Sequence, residues 1–274
     1  VTPPEPYTCA FEDLTIGPGT AYEIQSIEGL GLPEIRSGDV PRSLEQGETI
    51  GMDFPGGRDI TLTIDMDIST IADWSNFVTY WALGTSPQEF PFWYMPPWPV
   101  FAETAPVGGM FRLRKYEPVV DQRYGLGHLS QVKMLLHSTD PRLYWPTTTT
   151  DLVWNTAVDI PNYGTYEQRP ILNFQGPIVH PSVTNASILG NPWLSFDTLP
   201  TAEDYLTVDL LTHQILYQFT EPAPYWKLST GNMWWWLNTM LDGPNQIIFW
   251  SNDESAPAGS CSITYSEGAF ITVA

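Results

Sequence analysis

The stretch 58-RDITLTIDMDI-68 places Ile60, Leu62, Ile64, Met66 and Ile68 at every second position, with Asp59, Thr61, Thr63, Asp65 and Asp67 between them. Side chains alternate faces along a strand, so one face here is apolar and the other polar, the pattern of a half-buried β-strand. The turn Pro55-Gly56-Gly57 leads into it. Upstream, Ile24 and Ile27 bracket polar residues before Gly29, Gly31 and Pro33, which reads as strand, turn, strand.

Downstream, Ser69 or Thr70 can cap a helix whose Trp74, Phe77, Val78 and Trp81 keep the i, i+3, i+4, i+7 spacing, with Asp73 in its first turn. Residues 87–109 are rich in proline and aromatics and read as a long loop or edge hairpin, too interrupted for a regular central strand. That segment carries more apolar surface than a loop should expose. Strands return at 110–118 and 128–139, and the Thr147–Thr150 run marks a boundary. Beyond it, candidate strands at 152–158, 169–176, 183–190, 192–199, 205–218 (reversing near Leu211 to His213), 245–251 and 260–274 suit a β-sandwich.

Composition agrees with a β-rich fold. The 274 residues include 26 prolines and 21 glycines with 14% aromatic and only 15% charged residues, which favours short strands and tight turns over long helices. The net charge is −20, and the chain up to residue 150 holds 9 basic against 19 acidic residues, the remainder 2 against 12. Both parts are therefore −10, which disfavours binding to phosphate backbones and suits a surface past which DNA slides. No apolar run approaches the roughly 20 residues of a membrane-spanning helix, and no leader pattern opens the chain at Val1, as fits a product assembled in the cytoplasm.

Catalytic patterns are missing. There is no G-x-S-x-G, P-loop, G-x-G-x-x-G or H-E-x-x-H, and His128, His137, His180 and His213 are scattered without metal-ligand spacing, so no metal or cofactor is implied. Asp65 and Asp67 share a strand face and could act as paired carboxylates, or be the solvated side of an amphipathic strand. Arg112 and Arg114 alternate on one strand, suited to pairing with carboxylates within or between subunits. Cys9 and Cys261 read as two buried free thiols, with a disulfide between them as the alternative.

Trp234, Trp235 and Trp236 are consecutive. On a strand, Trp234 and Trp236 would share a face and Trp235 take the other, so the three cannot form one shelf. One side is left for a glycan or a partner.

The order of features resembles the distal tail proteins (Dit) of long-tailed bacteriophages. The first-domain likeness rests on Ile27 to Leu30, the glycine-bearing acidic stretch ending at Gly51, the R-x-I-x-L-x-I strand from Arg58 to Ile64, and the Asp140-Pro141-Arg142 exit. The second half is similar to the family's galectin-like sandwich at 170–178, 190–199, 205–216 and 241–250, with Gly243-Pro244 in reversed order within the final element.

The resemblance implies a mainly β chain of two sandwiches, 1–148 with one helix and 149–274. It implies a structural, non-enzymatic virion protein at the tail tip. Copies would close into a ring, typically of six, between the tail tube and the tail-tip or hub proteins, with the tape measure protein nearby and DNA passing through unbound. Phe90, Phe92, Trp93, Tyr94, Trp98, Phe101, Arg112 and Arg114 are the candidate contacts between subunits or with partners. The alternative, from 12 tryptophans, 13 tyrosines and an acidic surface, is a carbohydrate-binding sandwich that recognises host glycans.

Overall fold

A computed structural model describes residues 5–11, 14–41, 46, 48–49, 51–66, 89–97, 105–120, 129–218, 221–222, 228–231, 236–239, 243–253 and 256–270. Every regular element among them is a β-strand. The helix expected at 69–81 lies outside the described residues. The chain divides into two compact units, Val1–Leu143 with Phe270–Ala274, and Tyr144–Ala269.

In the first unit the principal strands are β1 (Cys9–Phe11), β2 (Leu14–Ile16), β3 (Tyr22–Glu28), β4 (Arg58–Met66), β5 (Phe90–Tyr94), β6 (Val107–Val120) and β7 (Leu129–Ser138). They pair antiparallel in the order β2-β1-β5-β6-β7-β4-β3. The opening stretch is β4, and its burial alternates along its length, with Ile60, Leu62 and Ile64 fully enclosed. It sits inside the sheet between β7 and β3. The long β6 pairs with β5 through Val107–Phe111 and with β7 from Arg112 onward, so one strand carries the chain from one part of the sheet to the other.

One expectation changes here. Residues 90–94, expected in a loop or edge hairpin, form an internal strand flanked by β1 and β6. Pro91 is tolerated because of where its missing N–H falls. The Met95 amide donates to Thr8 O on the β1 side, so by alternation Pro91 nitrogen also faces that side. The last β1 pairing is Phe11 with Phe92, one residue short of the proline. Strand β6 is irregular at Arg114. Arg112 pairs with His137, Leu113 with Leu136 and Lys115 with Leu135, which leaves Arg114 as the extra residue of a bulge.

The second unit is a sandwich of two antiparallel sheets. Its strands are β8 (Thr147–Leu152), β9 (Ala157–Ile160), β10 (Ile171–Gln175), β11 (Ser182–Asn185), β12 (Trp193–Phe196), β13 (Tyr205–Asp209), β14 (Gln214–Tyr217), β15 (Glu221–Pro222), β16 (Leu228–Gly231), β17 (Asn245–Trp250) and β18 (Ser260–Ser266). One sheet runs β8-β18-β10-β13-β14-β15 and the other β9-β17-β11-β12-β16. Leu172, Phe174, Leu206, Val208 and Ile263 from the first face Val183, Leu194, Phe196, Ile247 and Phe249 from the second. Phe174 lies 5.3 Å from Phe196 and 6.3 Å from Phe249, centroid to centroid, so aromatic contacts bridge the layers.

The threonine run forms strand β8, whose β-branched residues pair with β18. The strand expected at 152–158 breaks at Asn155, which takes φ of 52°. The reversal near Leu211 forms as expected. Asp209 Oδ1 accepts the amides of Leu211 and Thr212, and His213 supplies φ of 58°.

Candidate functional site

The titratable residues do not converge. Among the described residues no three of His, Cys, Asp and Glu stand close enough to hold a metal ion. His137 Nδ1 lies 2.7 Å from Asp59 Oδ1 on the neighbouring strand, while His180 and His213 occupy positive-φ turn positions. Asp65 is half-buried opposite Glu23 of β3, which is like charge facing like charge rather than an acid and base around a cleft. Asp67 and His128 lie outside the described residues. Cys9 and Cys261 are both buried and free, and burial pushes both thiols well up from their ordinary value.

Of the candidate contact residues on β5, Phe92 and Tyr94 point into the core, and Phe90 stacks 5.6 Å from Phe11 on that same side. Phe92 also meets Phe11 at 4.8 Å and Phe111 at 5.5 Å. Among the described residues of this segment, Phe90, Phe92 and Tyr94 turn their apolar surface into their own unit. Trp93 faces the other way, its ring against Gly108, where any Cβ would meet Phe92 O at 1.9 Å. Arg112 pairs with Glu89 at 3.1 Å and Arg114 is exposed. Trp98 and Phe101 lie outside the described residues.

A buried cation organises the first unit. Arg58 opens β4 and is fully enclosed. Its Nε donates to Pro141 O at 2.7 Å, and its Nη1 to Gly29 O at 2.5 Å and Gly31 O at 2.8 Å. Burial pulls its pKa down to about 10, opposed by the charge of Asp140. Asp140 is held by a two-point pair with Arg142, at 2.8 and 3.0 Å. Gly29 takes φ of 97°, and a Cβ there would meet Asp59 O at 2.0 Å. The glycine turn, the strand start and the D-P-R exit, separate in sequence, thus meet around one guanidinium.

The second unit has a neutral counterpart at Asn245. Its Oδ1 accepts from Asn185 Nδ2 at 3.1 Å and from the Asn238 amide at 2.7 Å, and its Nδ2 donates to Asn238 O at 2.9 Å and Ile160 O at 3.3 Å. Asn185 also donates to Trp236 O, and Trp236 Nε1 donates to Asn238 Oδ1 at 2.8 Å. Trp236 is half-buried, and the next residue, Leu237, is enclosed and bridges Gln168. Trp234 and Trp235 lie outside the described residues.

The surface that sequence reasoning missed is a two-stranded ribbon in the first unit. Ile35–Arg36 pairs with Phe54–Pro55, and Val40–Pro41 with Glu48–Thr49. No third strand covers it among the described residues. Leu32, Ile35, Val40, Met52 and Phe54 are 49–71% exposed along it. Gly38 and Gly51 let the arms approach, since a Cβ on Gly51 would meet Gly38 O at 1.9 Å. Asp39 accepts the Gly51 amide at 2.7 Å, and that bond holds its carboxyl below the usual carboxylate range. The spacing of these apolar residues follows neither strand nor helix period, so only their concentration could have signalled them.

No protein-family model matches the sequence, and no curated protein matches it. Solved structures do match in fold. The Dit protein of phage SPP1, described as a paradigm of the hub adsorption apparatus in phages infecting Gram-positive hosts, is 14% identical at a TM-score of 0.60, over 96% of this chain and 98% of that one. Two structures of the phage P2 baseplate in its activated conformation also match, each at 10% identity and over 94% of this chain. The calcium form gives a TM-score of 0.51 over 95% of the matched chain, and the strontium form 0.53 over 97%. Across nearly its whole length the chain has a fold similar to these tail hub and baseplate proteins.

Proposed function

We propose that this protein is a structural subunit of a phage tail tip. Copies of it close into a ring, six-fold, joining the tail tube to the hub proteins with the tape measure protein close by and DNA passing through the lumen. The observation that carries this reading is the exposed apolar ribbon, to which no third strand is added among the described residues. An isolated two-stranded ribbon is marginal in water, and one bearing five exposed large apolar side chains calls for a partner surface. Burying what remains exposed on each contributes roughly 1–2 kcal/mol, enough together to offset a fair part of the cost of association. The fold likeness supports the tail as the setting, and a charge of −20 suits a lumen that releases DNA. Trp93, Arg112, Arg114, Trp98 and Phe101 remain as further contact candidates.

The test is native mass measurement with negative-stain imaging of the full chain and of a Met52→Asp, Phe54→Asp variant. The wild type should form an annulus and the variant should not, with both melting alike because the two side chains are exposed. A wild type that stays monomeric at high concentration and is located away from the tail tip in virions would overturn the reading.

A further inference from the structure

We infer that the outer face of the five-stranded sheet in the second unit is a platform for a neutral oligosaccharide, with Trp193 and Trp250 as its stacking groups. The inference is independent of ring formation. On the three adjacent strands β17, β11 and β12, Phe249, Val183 and Leu194 point into the core and stand opposite one another. Alternation therefore turns Trp250, Ser182, Thr184 and Trp193 outward. Thr184 stands opposite both Trp193 and Ile248, and Ser182 opposite Trp250 and Ser195. The two indoles are 41% and 36% exposed.

Their spacing follows from the register. They lie two strand spacings apart, about 4.8 Å each, and two residues apart along β11, about 3.4 Å each, so their Cα atoms are roughly 12 Å apart. Between them Ile248 also faces outward, half-buried opposite Thr184. Ser182 and Ser195 are short and buried, while Thr184 is half-exposed and can hydrogen-bond from the gap. Two exposed indoles flanking the accessible Thr184 hydroxyl suit a short run of pyranose rings, whose C–H faces stack on aromatics while their hydroxyls take hydrogen bonds.

Charge narrows the ligand. The chain holds 31 acidic residues, yet among the described strand residues of this face only Asp159, on edge strand β9, ionises. Among the described residues of this face no cation stands to meet a phosphate or uronate, so a neutral sugar chain fits.

The experiment is titration of the full-length protein with maltohexaose, cellohexaose and chitohexaose, read by calorimetry and by intrinsic tryptophan fluorescence. At least one should bind saturably and perturb the emission. Trp193→Ala and Trp250→Ala should each weaken that binding about tenfold or more. Thr184→Lys, which fills the gap and keeps both indoles, should weaken it as well, with all three variants melting as the wild type does. Absence of binding to all three glycans, or binding that survives the three substitutions, would overturn the inference.

Discussion

Replacing Arg58 with methionine should destabilise the first unit by about 3 kcal/mol, the difference of two larger quantities. The guanidinium donates three hydrogen bonds to the carbonyls of Gly29, Gly31 and Pro141. Bonds from a charged donor contribute roughly 2 kcal/mol each, so about 6 kcal/mol is lost. Against this, a pKa pulled down to about 10 means that holding the charge inside costs roughly 3 kcal/mol relative to water. Methionine recovers that cost and keeps much of the apolar stem. A net loss of about 3 kcal/mol corresponds to a fall of roughly 6–12 °C in the unfolding midpoint of a unit this size. Scanning calorimetry of the full chain reads it, and the transition of the second unit should stay in place because each unit has its own core. Arg58→Lys should recover only part of the loss, since an ammonium lacks the planar fork that reaches carbonyls on different segments. An Arg58→Met protein that melts with the wild type, or a lysine variant that restores it fully, would refute this account of the node.

Two other substitutions probe the second unit. Asn245→Ala leaves buried groups of Asn185 and Ile160 and the half-buried backbone of Asn238 without that partner and should cost about 2–4 kcal/mol in urea denaturation; a loss under about 0.5 kcal/mol would mean that water replaces the amide freely. Tyr217 donates its hydroxyl to Asp204, which also takes the Thr201 amide at 2.7 Å and hydroxyl at 2.9 Å. The bond to Asp204 raises the phenol's pKa, so its contribution is complete below the ordinary tyrosine value and fades as pH climbs through the raised one. Tyr217→Phe should cost about 1–2 kcal/mol at neutral pH and flatten that alkaline decline; an unchanged decline would assign it to other groups.

Local pattern and tertiary context divided the fold unevenly. Strand β4 was legible because its alternation is uninterrupted over Arg58–Met66, and the Asp209–His213 reversal because its turn chemistry is local. Strand β5 was not, since proline at 91 argues against a central strand until the end of β1 is known. Trp193 and Trp250 escaped notice beside the conspicuous 234–236 run, because their joint exposure depends on β11 lying between them. The apolar ribbon was hidden for a similar reason. Leu32, Ile35, Val40, Met52 and Phe54 look no different in sequence from core residues, and exposure is a property of what fails to cover them.

By itself the sequence determined the β class, the position of most strands and the lack of a catalytic motif. These follow from alternation, turn residues and residue spacing, all of which act over a few neighbours. Only the tertiary structure decided that Arg58 is buried among three carbonyls, that Phe92 and Tyr94 are core rather than surface, and that a ribbon and an indole-bearing sheet face stand open to solvent. Burial and exposure are set by which distant segments meet, and a single chain read in order does not contain that distance.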